Sequence, residues 1–309
     1  MRGASTAAAA KVNLALHVLG RREDGYHRIE SLIGFAAVAD QVTVRPANAR
    51  TLQVAGPFAK ALGSDHAANL AWRAADAFRA RFGGPEWAIT LEKRLPIAAG
   101  IGGGSADAAA VLHLLAGHAG IATDDAGLTT IALGLGADVP ACLLGRPCLA
   151  SGIGEILQPL RRIPEAPLLL VNPGVAVPTA SVFRGWATAG GPPPPIQSDQ
   201  VETAADVRAL AAALAGTANM LEPAALRIAP PIGTVLDLLG RSDGCLLARM
   251  SGSGGTCFAL MAEATDRDDL AREIQVRQPD WWVSPTWLQA WPAGERLRAG
   301  SGCAGGPAG

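Results

Sequence analysis

Between residues 11 and 20 the chain reads KVNLALHVLG: Val12, Leu14, Leu16 and Val18 alternate with Lys11, Asn13, Ala15 and His17. A period of two marks a half-buried strand and sets Lys11 and Asn13 on one face. That face is open to two readings, the solvated side of an edge strand or a surface turned into a site. REDGYH follows with an Asp-Gly turn signal, and a second strand-like run covers residues 29–45, so the chain begins with a hairpin. Residues 66–82 carry Leu70, Ala74, Ala77, Phe78 and Phe82 near helical spacing, and WAITLEKRLP returns to alternation up to Pro96. A helix is expected over Ala106–Ala116 and another in DDAGLTTIALGLG, which ends in glycine. Residues 168–174 read as a short buried strand, and GGPPPPIQSDQ at 190–200 as a loop without regular structure. Beyond it VETAADVRALAAAL and AALRIAPPIGTVLDLLG look helical, CLLARM and TCFALMA form strands around SGSGG, and ATDRDDLAREIQ is a helix.

Mixed elements over 309 residues suggest two domains of an α+β protein, 1–160 and 161–295, with 296–309 expected to be a disordered tail. A charged share of 17% and a hydrophobic share of 49% argue against disorder elsewhere. With 26 basic and 27 acidic residues the net charge is -1, so nothing draws the whole chain to nucleic acid or to an anionic membrane, and any anion site is local. The five cysteines form no C-x-x-C pair, which fits free thiols in a reducing compartment. Lys11 and Asn13 interrupt the apolar start, so a signal peptide is not expected, no membrane span is visible, and a cytoplasmic location follows.

The densest chemical signal is GIGGGSADAAA at residues 100–110. A strand, a Gly-rich turn and a helix start bring free amide N–H groups and the positive end of a helix dipole to one spot, which makes an anion cradle. Ser105 stands where an N-cap or a phosphate ligand would stand, and a simple tight turn with a cap remains the alternative. No Gly-Lys-Ser/Thr occurs, position 105 breaks G-x-G-x-x-G, and neither Ser105 nor Ser253 has the glycines of a hydrolase elbow.

LPIAAGIGGGSADAAA resembles the second motif of the GHMP superfamily, the kinases named for galactokinase, homoserine kinase, mevalonate kinase and phosphomevalonate kinase. AKVNLALHVLGRREDGYH resembles the first motif and MSGSGGTCFAL the third, in the expected order. DGYH, GADVP, GIGEIL, NPG and N-x-L-E-P fit the branch that phosphorylates 4-diphosphocytidyl-2-C-methyl-D-erythritol in the non-mevalonate isoprenoid route, and the likeness runs over residues 9–262. The resemblance implies a two-domain GHMP kinase fold: an N-terminal ribosomal-protein-S5-like α/β domain, a C-terminal ferredoxin-like α+β domain, and an active site between them.

It also implies an ATP-dependent kinase acting on the 2-hydroxyl of that small molecule, with Mg2+ expected. Lys11 and Asp138 are then the catalytic pair, and Pro96, Ile97, Ala98, Ala99, Gly100, Ile101, Gly102, Gly103, Gly104, Ser105 and Ala106 bind ATP. Asn13, Tyr26, His27, Thr179 and Phe183 bind the acceptor, Tyr26 and Phe183 sandwiching the cytosine ring and His27 bonding its edge. Ser251, Gly252, Ser253 and Gly254 face the transferring phosphate. Pro140 places Asp138 at a helix N-terminus, where the dipole favours a carboxylate. No metal ligand announces itself beyond a contact from Ser105. Ala98 and Ala99 stand where some relatives carry glycine, which alanine tolerates at negative φ. A kinase for another small alcohol, or a silent ligand sensor on this fold, is the alternative, although the presence of both Lys11 and Asp138 argues against a sensor. A monomer or homodimer is expected, with no nucleic-acid or membrane partner.

Overall fold

The computed structural model describes residues 3–63, 65–186 and 193–290, so the expected tail and the first residues of the proline-rich stretch lie outside the described part. The hairpin is as expected but longer: β1 (Ala4–Arg21) and β2 (His27–Ala47) pair antiparallel around the Asp24-Gly25 turn. β2 is the backbone of the N-terminal half. It pairs with β1, with β4 (Glu86–Glu92) along residues 41–47, and with β5 (Cys148–Gly152) along residues 29–33. β3 (Thr51–Ala55) adds to β4 in parallel, and β6 (Ile156–Pro159) to β5. Against this sheet pack α1 (Leu70–Phe82), α2 (Gly103–Ala119), α3 (Ala126–Leu135) and α4 (Val139–Leu144). α2 is lined by alanines and leucines on nearly every side, so it is a central helix enclosed by α1, α4, β1 and β2.

The C-terminal half begins at β7 (Ala166–Asn172), which is buried along its whole length. After α5 (Thr179–Gly185), α6 (Ser198–Thr203), α7 (Val207–Leu214), α8 (Glu222–Ile228) and α9 (Pro231–Gly240) come β8 (Cys245–Met250) and β9 (Cys257–Met261). α10 (Ala264–Arg277) and β10 (Trp282–Leu288) complete it. The order β10-β7-β9-β8, antiparallel throughout, is the ferredoxin-like arrangement. β10 also touches β2 through Leu288 and Ala36, joining the two halves into one sheet path. Val12, Leu14, Leu32, Leu95 and Ile101 share an apolar cluster with Leu168, Leu170, Phe258 and Leu288, so the halves meet through a common core.

Four local readings are corrected. Helix α6 (Ser198–Thr203) begins within the expected 190–200 loop. VETAADVRALAAAL is two short helices, because Asp206 caps α7 by accepting from the Ala209 N–H at 2.9 Å. AALRIAPPIGTVLDLLG breaks at Pro230 and Pro231, where a ring replaces the amide that would continue α8. α2 starts at Gly103 rather than Ala106, and its N-cap is Gly102 in the left-handed region, so Ser105 lies inside the first turn and caps nothing. Among the described residues no helix is long and apolar enough to cross a membrane.

Candidate active site

β1 does not present a solvated edge. Lys11 and Asn13 are 2% and 3% exposed, as closed off as Val12 and Leu14 on the opposite face. The covering comes from both halves: the Lys11 amide donates to the Ile101 carbonyl at 2.9 Å, and the Leu16 amide to Ala218 at 2.9 Å. A buried ammonium needs partners. Lys11 Nζ donates to Asn13 Oδ1 at 2.8 Å and pairs with Asp138 Oδ1 at 3.1 Å. Asn13 in turn donates to Ser31 Oγ at 2.7 Å, which fixes its amide so that its oxygen faces the lysine. Asp138 is the residue preceding α4, its side chain caps nothing, and it is 49% exposed. The pair is therefore an anchored, enclosed cation beside an open carboxylate.

The glycine loop lies against this pair. Gly102 has φ +63°, and a Cβ there would meet the Lys11 side chain at 3.1 Å, so only glycine lets the lysine pass under the start of α2. Gly100, at φ +75°, abuts the second glycine loop: a Cβ would stand 2.5 Å from both the Ser251 and Gly254 carbonyl oxygens. Ser251 bridges the two loops, donating to Gly100 O at 3.0 Å and accepting from Asn13 N–H at 3.1 Å. It is fully buried, so its hydroxyl serves the junction, while Ser253 is partly exposed. The Thr256 amide donates to Ala99 O at 3.0 Å and closes the contact. Ala98 adopts φ +52°, outside the negative range in which alanine is tolerated there, and so carries the strain that a glycine would avoid.

On the aromatic side of the site three rings come together. His27 lies against Phe183, ring centroids 5.1 Å apart, and meets Trp186 edge-on at 5.7 Å. Tyr26 is 59% exposed at the tip of the hairpin. Burial, then the charge of Arg21, holds the His27 imidazole below its ordinary pKa, so it is neutral at pH 7 and keeps one donor and one acceptor. Thr179, the first residue of α5, exchanges a hydrogen bond with Ser253 at 2.8 Å, linking the helix of Phe183 to the second glycine loop.

Several supporting residues had no role assigned from sequence. Asn219 donates to the Met250 and Gly252 carbonyls, both at 2.8 Å, and Glu222 accepts from the Met250 amide at 3.0 Å, so N-x-L-E-P grips the base of the second loop. Asn172 of NPG donates to Thr256 Oγ1 at 3.0 Å on its far side. Arg249 donates to Leu14 O at 2.6 Å and Thr217 O at 2.7 Å, tying β1 to the C-terminal half.

A buried lysine paired with a carboxylate, two interlocked glycine loops and a ferredoxin-like second half define a small-molecule kinase of the GHMP type. The models for the GHMP kinases N terminal domain and GHMP kinases C terminal match residues 69–146 and 199–278. The chain is 48% identical over 289 residues to a 4-diphosphocytidyl-2-C-methyl-D-erythritol kinase of Chelativorans sp. (strain BNC1), covering 92% of this chain and 95% of that protein. A kinase of the same name from Rhizorhabdus wittichii is 50% identical over 279 residues, 88% of this chain and 90% of the other. A crystal structure of 4-(cytidine 5'-diphospho)-2C-methyl-D-erythritol kinase superposes with a TM-score of 0.74 at 34% identity, over 92% of this chain and 99% of that one. Homoserine kinase from Cytophaga hutchinsonii shares the fold, with a TM-score of 0.69 at 17% identity over 94% and 96% of the two chains. The chain belongs to the 4-diphosphocytidyl-2-C-methyl-D-erythritol kinase family.

Proposed function

We infer that the protein transfers the γ-phosphoryl group of ATP to the 2-hydroxyl of 4-diphosphocytidyl-2-C-methyl-D-erythritol. The observation that carries this reading is the Lys11–Asp138 pair, 3.1 Å apart and anchored by Asn13, in a chain whose half-identical relatives bear that kinase's name. Phosphoryl transfer asks for positioning and charge neutralisation more than for covalent work. Asp138 orients the acceptor hydroxyl and takes its proton as the hydroxyl oxygen bonds to phosphorus and the β,γ-bridging oxygen leaves with ADP. Lys11, a compact charge held in place, offsets the negative charge that builds on the transferring group.

Amides at the start of α2, from Gly102 to Ser105, meet the triphosphate with the positive end of the helix dipole behind them. No cluster of three or more His, Cys, Asp or Glu residues suited to a metal occurs among the described residues. A magnesium ion would be carried by the nucleotide's phosphates, and the Ser105 hydroxyl, in the first turn of α2, is the protein contact proposed for it. Magnesium would neutralise the β- and γ-phosphates. His27, Phe183 and Tyr26 read the cytosine end, and Thr179, bonded to Ser253, and Asn13, bonded to Ser31, contact the acceptor. Phosphorus NMR of the product tests the reading: a new monoester on the 2-hydroxyl is expected, and a phosphate on any other hydroxyl contradicts it.

A further inference from the structure

Beneath the ATP loop lies a buried cluster of three titratable side chains that the chemistry above does not use; burial pushes the Asp107 carboxyl up to about 7 against the pull of Lys93. Lys93, next after β4, donates through its ammonium to Asp40 of β2 and, at 2.8 Å, to Asp107 of α2. The three side chains are 2%, 0% and 3% exposed. The second Asp40 oxygen accepts from the backbone amides of Arg94 at 2.6 Å and Leu95 at 2.8 Å, the two residues that lead into the loop. On the other side the ammonium touches the first helical residue: a Cβ on Gly103 would stand 3.1 Å from Lys93 Nζ. Asp107 Oδ1 is buried without a hydrogen-bond partner. Burial alone would lower the Lys93 pKa, but Asp107 and Asp40 outweigh it and hold the ammonium charged.

A cluster of this kind is a poor device for stability, since apolar side chains of similar volume fill such a space at equal or lower cost, and a carboxylate oxygen left unpaired adds to the penalty. Its placement is the informative part. Residues 96–102 leave β4 at one end and enter α2 at the other; Asp40 holds the first end, Asp107 belongs to the second, and Lys93 ties them together. Between those ends the loop is held by the hydrogen bonds of Ala99, Gly100 and Ile101 to the C-terminal loop and β1, and by Ala99 and Ile101 in the common core.

We propose that Lys93, Asp40 and Asp107 are positioning residues for ATP: they set the span between the entry of the glycine loop and the first turn of α2, so that its amides meet the triphosphate already in place. The proposal rests on the reading of this loop as the ATP site. Asp107→Leu in the full chain is expected to raise the KM and the calorimetric Kd for MgATP about tenfold, with kcat and the acceptor KM within about twofold of the parent. Asp107→Asn keeps an oxygen for the Lys93 ammonium and recovers most of the ATP affinity. A folded Asp107→Leu protein that binds MgATP like the parent overturns the proposal. If Asp107→Leu does not fold, Lys93→Arg serves: it keeps the charge but lengthens the tie, so weaker ATP binding at unchanged kcat is expected, and unchanged ATP binding again overturns it. Calorimetry needs no acceptor, so a parent protein that binds ATP yet phosphorylates no cytidine-linked alcohol refutes the proposed function and leaves this test standing.

Discussion

Gly100→Ala probes the junction of the two glycine loops. The new methyl would stand 2.5 Å from two backbone oxygens, Ser251 O and Gly254 O, so the loops must part by about 1 Å to regain ordinary contact. Gly120→Ala is the control, because Gly120 has φ +68° against +75° for Gly100 but nothing within 4 Å of its would-be Cβ. A left-handed alanine costs about 1–2 kcal/mol, and the stiffer unfolded chain returns about 0.4–1 kcal/mol. The control should therefore lose no more than about 1.6 kcal/mol. Gly100→Ala carries the same cost plus overpacking, about 1–3 kcal/mol more. Its loops also part where Lys11 and the phosphates meet, and a misplacement of about 1 Å there lowers kcat/KM by about 10²-fold. Urea unfolding and steady-state turnover of the two variants decide the matter. If Gly100→Ala matches Gly120→Ala in both, the loops do not need each other.

Asp138→Asn and Lys11→Ala should each lower kcat by roughly 10²-fold or more while MgATP still binds calorimetrically, and near-parental turnover in either removes that residue from the chemistry. Ala98→Gly releases a left-handed strain of about 1–2 kcal/mol at an entropy cost of about 0.5–1 kcal/mol, so its urea midpoint should rise at unchanged slope; a fall would show that the strain is not there. Burial holds the imidazoles of His17 and His113 below 6.5, with Glu30 opposing it in part at His17 and a Leu143 carbonyl at His113. Both are neutral in the fold and take protons more readily when unfolded, so their contribution to stability is present above pH 6.5 and is lost as pH falls from 6.5 through their folded values. Unfolding free energies at pH 7.5 and 5.5 should show that loss, reduced in His113→Gln; equal losses in parent and variant contradict it.

The strands and most helices were legible because their periodicity is local, and the two glycine loops because left-handed backbone strongly favours glycine. The burial of Lys11 was not, since β1 alternates like an edge strand and is covered by Ile101, 90 positions from Lys11, and Ala218, 202 positions from Leu16. Breaks at Asp206 and Pro230 were written in the sequence as an N-cap and a proline pair, yet the apolar periodicity on either side masked them. Asn219, Asn172 and Arg249 lay inside or beside recognisable motifs, but their function is to hold backbone carbonyls and hydroxyls far away in sequence, which only the fold brings near. The Lys93 cluster left no pattern at all: its members are 53 and 14 positions apart along the chain. A lysine, two aspartates and ordinary spacing look like surface charge until three elements close over them.

The most direct test of the proposed function is ADP release from ATP and magnesium with a panel of alcohols. Rapid ADP formation is expected with 4-diphosphocytidyl-2-C-methyl-D-erythritol, and none above background with mevalonate, homoserine or no acceptor. Equal release with every alcohol, or a preference for mevalonate or homoserine, would contradict the assignment of His27, Phe183 and Tyr26 as readers of a cytidine handle.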